Sequence, residues 1–234
     1  MARGIGNLAQ NLLSLFLKSK CTLCDRPAQL QLCPYCHRQL QHCQLDKNDK
    51  ICCVKPLVFA WGSYSGLLKR AITALKYENQ PQLAQPLGYY LGEAWLKSAA
   101  AKNVKKLIVV PIPMHSAKLR QRGYNQAQLI AQSFCQFTGY KQQPLALERV
   151  RATQAQFSLS KVQREQNLAD AFVISKNFSK YPPASPVLFI DDIYTTGATV
   201  RSAAQTLVRQ GIKVYGVAAI ARSQTQYTKG RKQG

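Results

Sequence analysis

The stretch "VLFIDDIYTTGAT", residues 187–199, places two adjacent carboxylates at the end of the most hydrophobic run of the chain. Asp191 and Asp192 follow four apolar residues, although the chain has only ten acidic residues and a net charge of +22. An apolar run followed by small turn-forming residues is typical of a buried strand that leads into a helix. Ligands of open α/β sheets bind beyond the carboxyl ends of the strands, so both carboxylates are candidate binding groups.

The turn after the acid pair has the composition of a phosphate-binding loop. It consists of Thr195, Thr196, Gly197, Ala198 and Thr199. Backbone N–H groups and hydroxyls at a helix N-terminus bind phosphate, and glycine lets the chain approach a ligand closely. Because the neighbouring carboxylates can accept hydrogen bonds from vicinal hydroxyls, the stretch predicts a sugar-phosphate site. The alternative is a capped helix start, in which Thr and Asp serve only as turn residues.

Strand-like and helix-like runs alternate over the rest of the chain. The strand-like runs cover residues 59–64, 106–113, 171–174, 186–191 and 213–221. The helix-like runs cover residues 66–77, 125–139 and 199–211. This alternation predicts an α/β domain with a mainly parallel sheet.

Two C-x2-C pairs, separated by eight residues, predict a structural zinc site near the N-terminus. The ligands would be Cys21, Cys24, Cys33 and Cys36. Two residues between thiolates let both sulfurs face one ion, and two such pairs complete a tetrahedron with no open position. The alternatives are two disulfides or a redox C-x-x-C. The remaining cysteines of this region have no assigned role: Cys43, Cys52 and Cys53.

The sequence predicts a small metal-stabilised head, residues 1–56, and a larger body, residues 57–234. A head of this size cannot stabilise itself by burial alone. A helix is expected over residues 5–18, packed on the body or, as the alternative, lying on a membrane surface. No run of about 20 apolar residues and no signal peptide is expected, so the predicted location is cytoplasmic, with peripheral contact at the inner membrane face as the alternative.

The excess of positive charge favours a polyanionic partner. Residues 94–147 contain eight Lys or Arg and no acid, and residues 193–234 contain seven and no acid. The candidate anion-binding or DNA-binding residues are Lys118, Arg120, Arg122, Arg149 and Arg151. Solvated surface charge is the alternative interpretation. Arg201 and Arg209 belong to a different helix-like run and are not assigned to this site.

The motifs together resemble the ComF/GntX family of competence-type proteins. Residues 187–199 resemble the phosphoribosyl-diphosphate (PRPP) signature of type I phosphoribosyltransferases. The other matching segments are "CTLC" (21–24), "LCPYC" (32–36), "ALKYENQ" (74–80), "VPIPMHSAKLRQRGYNQA" (110–127) and "RVRATQAQFSLSKVQREQNLADAF" (149–172). The resemblance implies a zinc-finger head joined to a phosphoribosyltransferase-like domain.

The resemblance also implies partners. Family members are associated with incoming single-stranded DNA in natural transformation, so single-stranded DNA, a phosphoribosyl metabolite, and DNA-uptake motor or recombination proteins are the expected partners. Asp191, Asp192 and the turn Thr195–Thr199 would bind PRPP, and Mg²⁺ would neutralise its diphosphate. Two alternatives stay open: an active phosphoribosyltransferase with an unknown acceptor, or a regulatory module that senses PRPP without turnover.

Overall fold

The computed structural model of the chain describes residues 20–46, 50–52, 56–151 and 171–223. The chain divides into two compact units, Met1–His42 and Cys43–Gly234. The head–body boundary at residue 56 stays a prediction. The helix expected over residues 5–18, the basic tail after residue 223 and Cys53 lie outside the described residues.

The smaller unit is organised around its four cysteines. Its helix α1 covers Pro34–Gln41. Cys33 caps this helix, because its Sγ accepts a hydrogen bond from the N–H of Cys36, and a proline stands in the first turn, where no N–H is needed. Lys20 and Pro27 form an isolated antiparallel bridge that closes the loop around the first C-x-x-C pair. The apolar interior is small, which is consistent with a unit that relies on a metal.

The larger unit is built on a six-stranded sheet with the strand order β1-β2-β8-β7-β3-β4. Strands β2, β8, β7, β3 and β4 run parallel, and β1 joins the edge antiparallel to β2. The strands cover Ile51–Cys52 (β1), Leu57–Ser63 (β2), Ile108–Pro111 (β3), Lys141–Gln142 (β4), Val187–Tyr194 (β7) and Val214–Arg222 (β8). A separate antiparallel pair contains Leu147–Arg149 (β5) and Phe172–Ile174 (β6). The α/β fold class predicted from the sequence is confirmed.

Helices connect these strands. They cover Gly66–Tyr77 (α2), Ala84–Leu96 (α3), Ala99–Lys102 (α4), Ser116–Arg122 (α5), Gln126–Thr138 (α6), Lys176–Lys180 (α7) and Ala198–Val208 (α8). A short 3₁₀ turn, Pro81–Leu83, stands between α2 and α3. Within the described residues, no helix is long and apolar enough to cross a membrane.

The central strands are buried on both faces. In β7, residues 187–190 are fully buried, and in β8 residues 217–221 are fully buried. Such continuous apolar runs are typical of parallel strands covered by helices on both sides. Trp95 of α3 packs edge-on against Phe59 of β2, with ring centroids 5.3 Å apart. This core fixes the carboxyl ends of β2, β3, β7 and β8 along one edge of the sheet.

Two local predictions from the sequence differ from the structure. Strand β7 continues to Tyr194, beyond the predicted end at residue 191, so Asp192 lies inside the strand together with Asp191. The segment SAKLRQR, which is not among the helix-like runs predicted from the sequence, is helix α5. Its residues are mostly strong helix formers, His115 caps its start, and Gly123 ends it in the left-handed conformation with φ 83°.

Helices α3 and α6 approach each other closely at Gly88. A Cβ placed on Gly88 would lie 2.5 Å from the Cβ of Ser133 and 2.7 Å from the carbonyl oxygen of Ile130. The backbone contact leaves no room for a side chain. The absence of a Cβ at this position is therefore a packing requirement.

We predict that Gly88→Ala destabilises the protein, although alanine is the better helix former by about 1 kcal/mol. Overpacking against a backbone carbonyl should outweigh that gain and lower the free energy of unfolding by about 1–3 kcal/mol. Urea unfolding followed by circular dichroism measures the change. Ala101→Gly is the propensity control, since it removes a methyl from a short surface helix. A more stable Gly88→Ala variant would contradict the close approach of α3 and α6.

Candidate functional site

Asp191 and Asp192 lie at the carboxyl end of β7, next to the ends of β8 and β3. Asp191 is in register with Ala219 of β8. The N–H of Ile112, just after β3, donates to the carbonyl oxygen of Ile190. Successive strand residues point to opposite faces of a sheet. The two carboxylates therefore face different surroundings, and Asp192 is buried while Asp191 is partly exposed.

Asp192 forms an ion pair with Lys76, which lies near the end of α2. The distance from Lys76 Nζ to Asp192 Oδ2 is 2.8 Å, and the side chains are 19% and 5% exposed. The other carboxylate oxygen of Asp192 accepts from the N–H of Ile193 at 2.9 Å. Burial alone would lower the pKa of Lys76, but the carboxylate of Asp192 more than offsets this, so the pKa is raised. Asp192 therefore connects α2 to the sheet.

Asp191 is the acid that can face a ligand. Its Oδ1 accepts from the N–H of Asp192 at 2.8 Å. Desolvation, followed by the charge of Asp192, raises the pKa of Asp191 well above its ordinary value. Burial lowers the pKa of Arg149, and the charge of Asp191 partly offsets that change. Arg149, predicted as an anion-binding residue, therefore lies within electrostatic reach of the acid pair.

The turn between β7 and α8 is held open by glycine. Gly197 has φ 73° and caps α8, and a Cβ at this residue would lie 2.2 Å from the Oη of Tyr194. The Arg201 guanidinium donates to the carbonyl oxygen of Thr196 at 2.8 Å. No acid stands in the first turn of α8, so the positive end of the helix dipole is not neutralised from within. This geometry can accept a phosphate.

Helix α5 presents positive charge at the same edge of the sheet. None of its residues is buried, and Lys118, Arg120 and Arg122 project from it. Among the residues that the structure describes, none of these three forms a salt bridge. Arg151 is also exposed, at the end of the described segment. Lys118 and Arg120 are thus available for a polyanion, whereas Arg122 lies over the ring of Tyr77 and donates to Gln126.

The connection after α5 is anchored to the sheet edge. Tyr124 Oη donates to the carbonyl oxygen of Leu75 at 2.6 Å. Asn125 Nδ2 donates to the carbonyl oxygen of Ile112 at 3.0 Å, and Asn125 Oδ1 caps α6 through the N–H of Ala127. Both side chains hold α5 in place. They bring α2, β3 and α5 together around the acid pair.

The four cysteines of the smaller unit converge on one point. Their Sγ atoms all lie within 4.8 Å of one another, and the separation of Cys24 Sγ and Cys33 Sγ is 3.6 Å, longer than a disulfide bond. The N–H of Cys36 lowers the pKa of the Cys33 thiol to about 7, whereas burial raises that of Cys36. Four sulfurs arranged in this way could hold a metal ion. Cys43, in contrast, donates to the carbonyl oxygen of Ser65 in the larger unit.

Two residues of the site were not assigned from the sequence. Lys76 is one basic residue among many, and only the fold brings it to Asp192. Arg201 was placed on a separate helix, but its side chain reaches back five residues to the phosphate-binding turn. The only signal in the sequence was that Arg201 follows Thr196 by five residues across the start of a helix. This signal is weak, because the recognised pairs of a helix are three or four residues apart.

Comparisons with known proteins identify relatives of the whole chain. No protein-family model matches. The chain is 27% identical to "Competence protein F" of Haemophilus influenzae, with 87% of this chain and 90% of that protein aligned. It is 27% identical, with the same coverage, to "DNA utilization protein YhgH" of Escherichia coli K12. It is 26% identical to "Competence protein ComFC" of Bacillus subtilis, over 64% of this chain and 57% of that protein.

We predict that purified protein contains about one metal ion per chain and that Cys24→Ser loses it, because three thiolates leave the shell incomplete. Elemental analysis after dialysis measures the ratio of metal to protein. Cys43→Ser is the matched control, since Cys43 lies outside the cluster and should keep the metal. Stoichiometric metal in a Cys21→Ser/Cys33→Ser variant would contradict the cluster.

The two neighbouring acids should respond in opposite directions to the same isosteric change. The folded-state pKa of Asp191 is raised above 3.8, so its ionisation at neutral pH lowers stability. Asp191→Asn should therefore raise the free energy of unfolding at pH 7. This gain should disappear as the pH falls below 3.8, where the carboxyl is protonated in both states.

Asp192→Asn should instead destabilise the protein, by about 3 kcal/mol, because it leaves the Lys76 ammonium largely buried without its counter-charge. Urea unfolding at neutral and acidic pH measures both variants. Equal losses of stability for the two changes would show that the acids do not have the different roles described above.

Proposed function

Because the chain belongs to the ComF family of competence-type proteins, we propose that it handles single-stranded DNA during DNA uptake and binds a ribose phosphate at the turn between β7 and α8. The related proteins carry the names competence protein and DNA utilization protein. Since the alignment with two of them covers about nine-tenths of each protein, the proposed role concerns the whole chain rather than one module.

The observation that carries the ribose-phosphate proposal is the combination of the partly exposed Asp191 with a helix start that has no acid in its first turn. Asp191 can accept hydrogen bonds from ribose hydroxyls. The N–H groups at Gly197–Thr199, with the hydroxyls of Thr195 and Thr196, would bind the 5′-phosphate. The Arg201 guanidinium binds the carbonyl oxygen of Thr196. This hydrogen bond fixes the backbone of the turn, so the N–H groups of residues 197–199 are already oriented before a phosphate binds. In this proposal Asp192 is the positioning residue, because Lys76 already neutralises it.

The observation that supports DNA binding is the free positive charge of α5. Lys118 and Arg120 are exposed and belong to the helix that follows the carboxyl end of β3. The capped helix fixes the backbone that carries these two cations, so only their side chains have to be ordered when they bind phosphates. Neutralised phosphates release counterions, which is the main driving force for sequence-independent binding of nucleic acids. Arg122, Arg149 and Arg151 would extend this contact.

For the smaller unit we propose that zinc is the bound metal. Four thiolates at this spacing are the donor set that zinc prefers in structural sites. Cys21, Cys24, Cys33 and Cys36 would hold the ion, which would stabilise the fold of the unit and leave no position for a substrate. Thiolate formation at Cys33 is favoured by the N–H of Cys36.

We predict that a fluorescent single-stranded oligonucleotide binds the protein with an affinity that falls steeply with salt, with a log–log slope of about −0.7 for each phosphate contact. Lys118→Ala/Arg120→Ala should weaken binding and reduce the slope. Fluorescence anisotropy across a salt series measures both quantities.

The matched control for this prediction is Lys105→Ala/Lys106→Ala. These two exposed lysines precede β3 and lie at the opposite, amino end of the same strand. Both double substitutions remove two positive charges. A general effect of net charge would therefore weaken DNA binding equally in Lys105→Ala/Lys106→Ala and in Lys118→Ala/Arg120→Ala. Equal losses of affinity in the two variants would indicate binding to a diffuse basic surface. This result would contradict a DNA site at the edge of the sheet where the parallel strands have their carboxyl ends.

We predict that ribose 5-phosphate, and PRPP with Mg²⁺, bind to the wild-type protein, and that Asp191→Asn weakens both. Asp191→Asn keeps the shape of the side chain but lowers its ability to accept hydrogen bonds from hydroxyls. Isothermal calorimetry measures the affinities. The matched control is Asp46→Asn, in the same unit but outside the site. No binding of either ligand to wild type at millimolar Mg²⁺ would remove the ribose-phosphate proposal.

The same samples distinguish binding from turnover. A transferase would displace diphosphate at the anomeric carbon through an oxocarbenium-like transition state, and the negative charge of Asp191 would stabilise the developing cation. Release of pyrophosphate from PRPP in the presence of candidate bases would establish the transferase alternative. Binding without release would favour sensing or DNA handling.

A further inference from the structure

Tyr77 is a large aromatic side chain that the fold leaves open to solvent beside the candidate site. It is the last residue of α2 and is 72% exposed. The preceding residue, Lys76, forms the buried ion pair with Asp192. The ion pair of the neighbouring Lys76 therefore fixes the backbone at Tyr77 near Asp192, while the Tyr77 ring projects into solvent.

The ring of Tyr77 is held by contacts with the α5 region. The Arg122 guanidinium lies over the ring, 5.3 Å from its centroid. Arg122 also donates to Gln126 Oε1, which limits the movement of the guanidinium. One residue before Lys76, the carbonyl oxygen of Leu75 accepts the hydrogen bond of Tyr124. These contacts orient the aromatic plane and leave much of the ring accessible.

We propose that Tyr77 is a stacking platform for an unpaired base of single-stranded nucleic acid, whose phosphates lie along the cations of α5. This inference rests on the proposed DNA handling and deepens it. An aromatic ring next to cations is the arrangement that binds single strands without sequence preference, because every base has a π face. The cation–π attraction to Arg122 also orients the Tyr77 ring before a base binds. Duplex DNA cannot use such a platform, since its bases are already stacked on each other.

The charge distribution favours nucleic acid over a protein partner. Helix α5 carries three cations, and Arg149 lies within electrostatic reach of Asp191. Glu78, the residue after Tyr77, is neutralised by its ion pair with Arg70. An apolar protein surface would gain little from an aromatic ring that carries the Arg122 guanidinium over it. A polyanion with flat, apolar bases is complementary to both features.

Tyr181 provides a matched control within the same chain. It is 66% exposed, and Lys180 Nζ lies 5.3 Å from its ring centroid. The chemistry is nearly the same as at Tyr77. However, Tyr181 follows α7 in the connection that leads into the amino end of β7, away from the acid pair. A role for exposed tyrosines in general would affect both positions alike.

The experiment compares the wild type with Tyr77→Ala, Tyr77→Phe and Tyr181→Ala. Fluorescence anisotropy is measured with a thymidine homopolymer and with a duplex of equal length, across a salt series. We expect Tyr77→Ala to weaken single-strand binding about tenfold, since stacking of one base is worth this much or more. Tyr77→Phe and Tyr181→Ala should bind as the wild type does. The salt slope should stay the same, because no phosphate contact is removed.

Each outcome decides the proposal. Wild-type affinity in Tyr77→Ala would overturn it while leaving DNA binding intact, and so would an equal loss for the single strand and the duplex. A loss in Tyr77→Phe as large as in Tyr77→Ala would assign the effect to the hydroxyl rather than the ring, and would also overturn it. No single-strand binding by wild type would overturn both this inference and the proposed function. Circular dichroism confirms that each variant is folded.

Discussion

The ion pair between Lys76 and Asp192 is the contact on which the shape of the candidate site depends. It joins the end of α2 to the carboxyl end of β7 at 2.8 Å, largely out of contact with water. Without it, a buried carboxylate would stand beside a second carboxylate with no compensating charge, which is strongly unfavourable. The pair also fixes Leu75 and Tyr77, so that Tyr124 and Arg122 can bring α5 to the same edge.

The neighbouring Asp191 shows why two acids occur together in a chain with so few. One acid is used to hold α2, and the other is left partly exposed with a raised pKa. Ionisation of Asp191 lowers the free energy of unfolding, and the hydrogen bond from the N–H of Asp192 and the charge of Lys76 do not offset this loss. Strained or destabilised groups of this kind concentrate at functional sites. A ligand with hydroxyl donors would compensate the cost, which is what the proposed ribose contact provides.

Much of the fold could be predicted from the sequence because it depends on local patterns. The apolar run of β7 and the helical spacing of residues 66–77 indicate their elements directly, and the spacing of the cysteines indicates one cluster. Other features depend on contacts distant in sequence. Lys76 reaches Asp192 only because α2 passes along the carboxyl edge. Helix α5 was not predicted from the sequence, because without a buried face it lacks the periodicity by which helices are recognised.

The most direct test of the account is a crystal structure of the protein grown with ribose 5-phosphate. The account predicts that the phosphate lies at the turn between β7 and α8, with its oxygens about 2.7–3.2 Å from the N–H groups of residues 197–199. It also predicts that a ribose hydroxyl donates to Asp191, while Lys76 stays paired with Asp192. A phosphate bound only to the cations of α5, with the turn left empty, would contradict it.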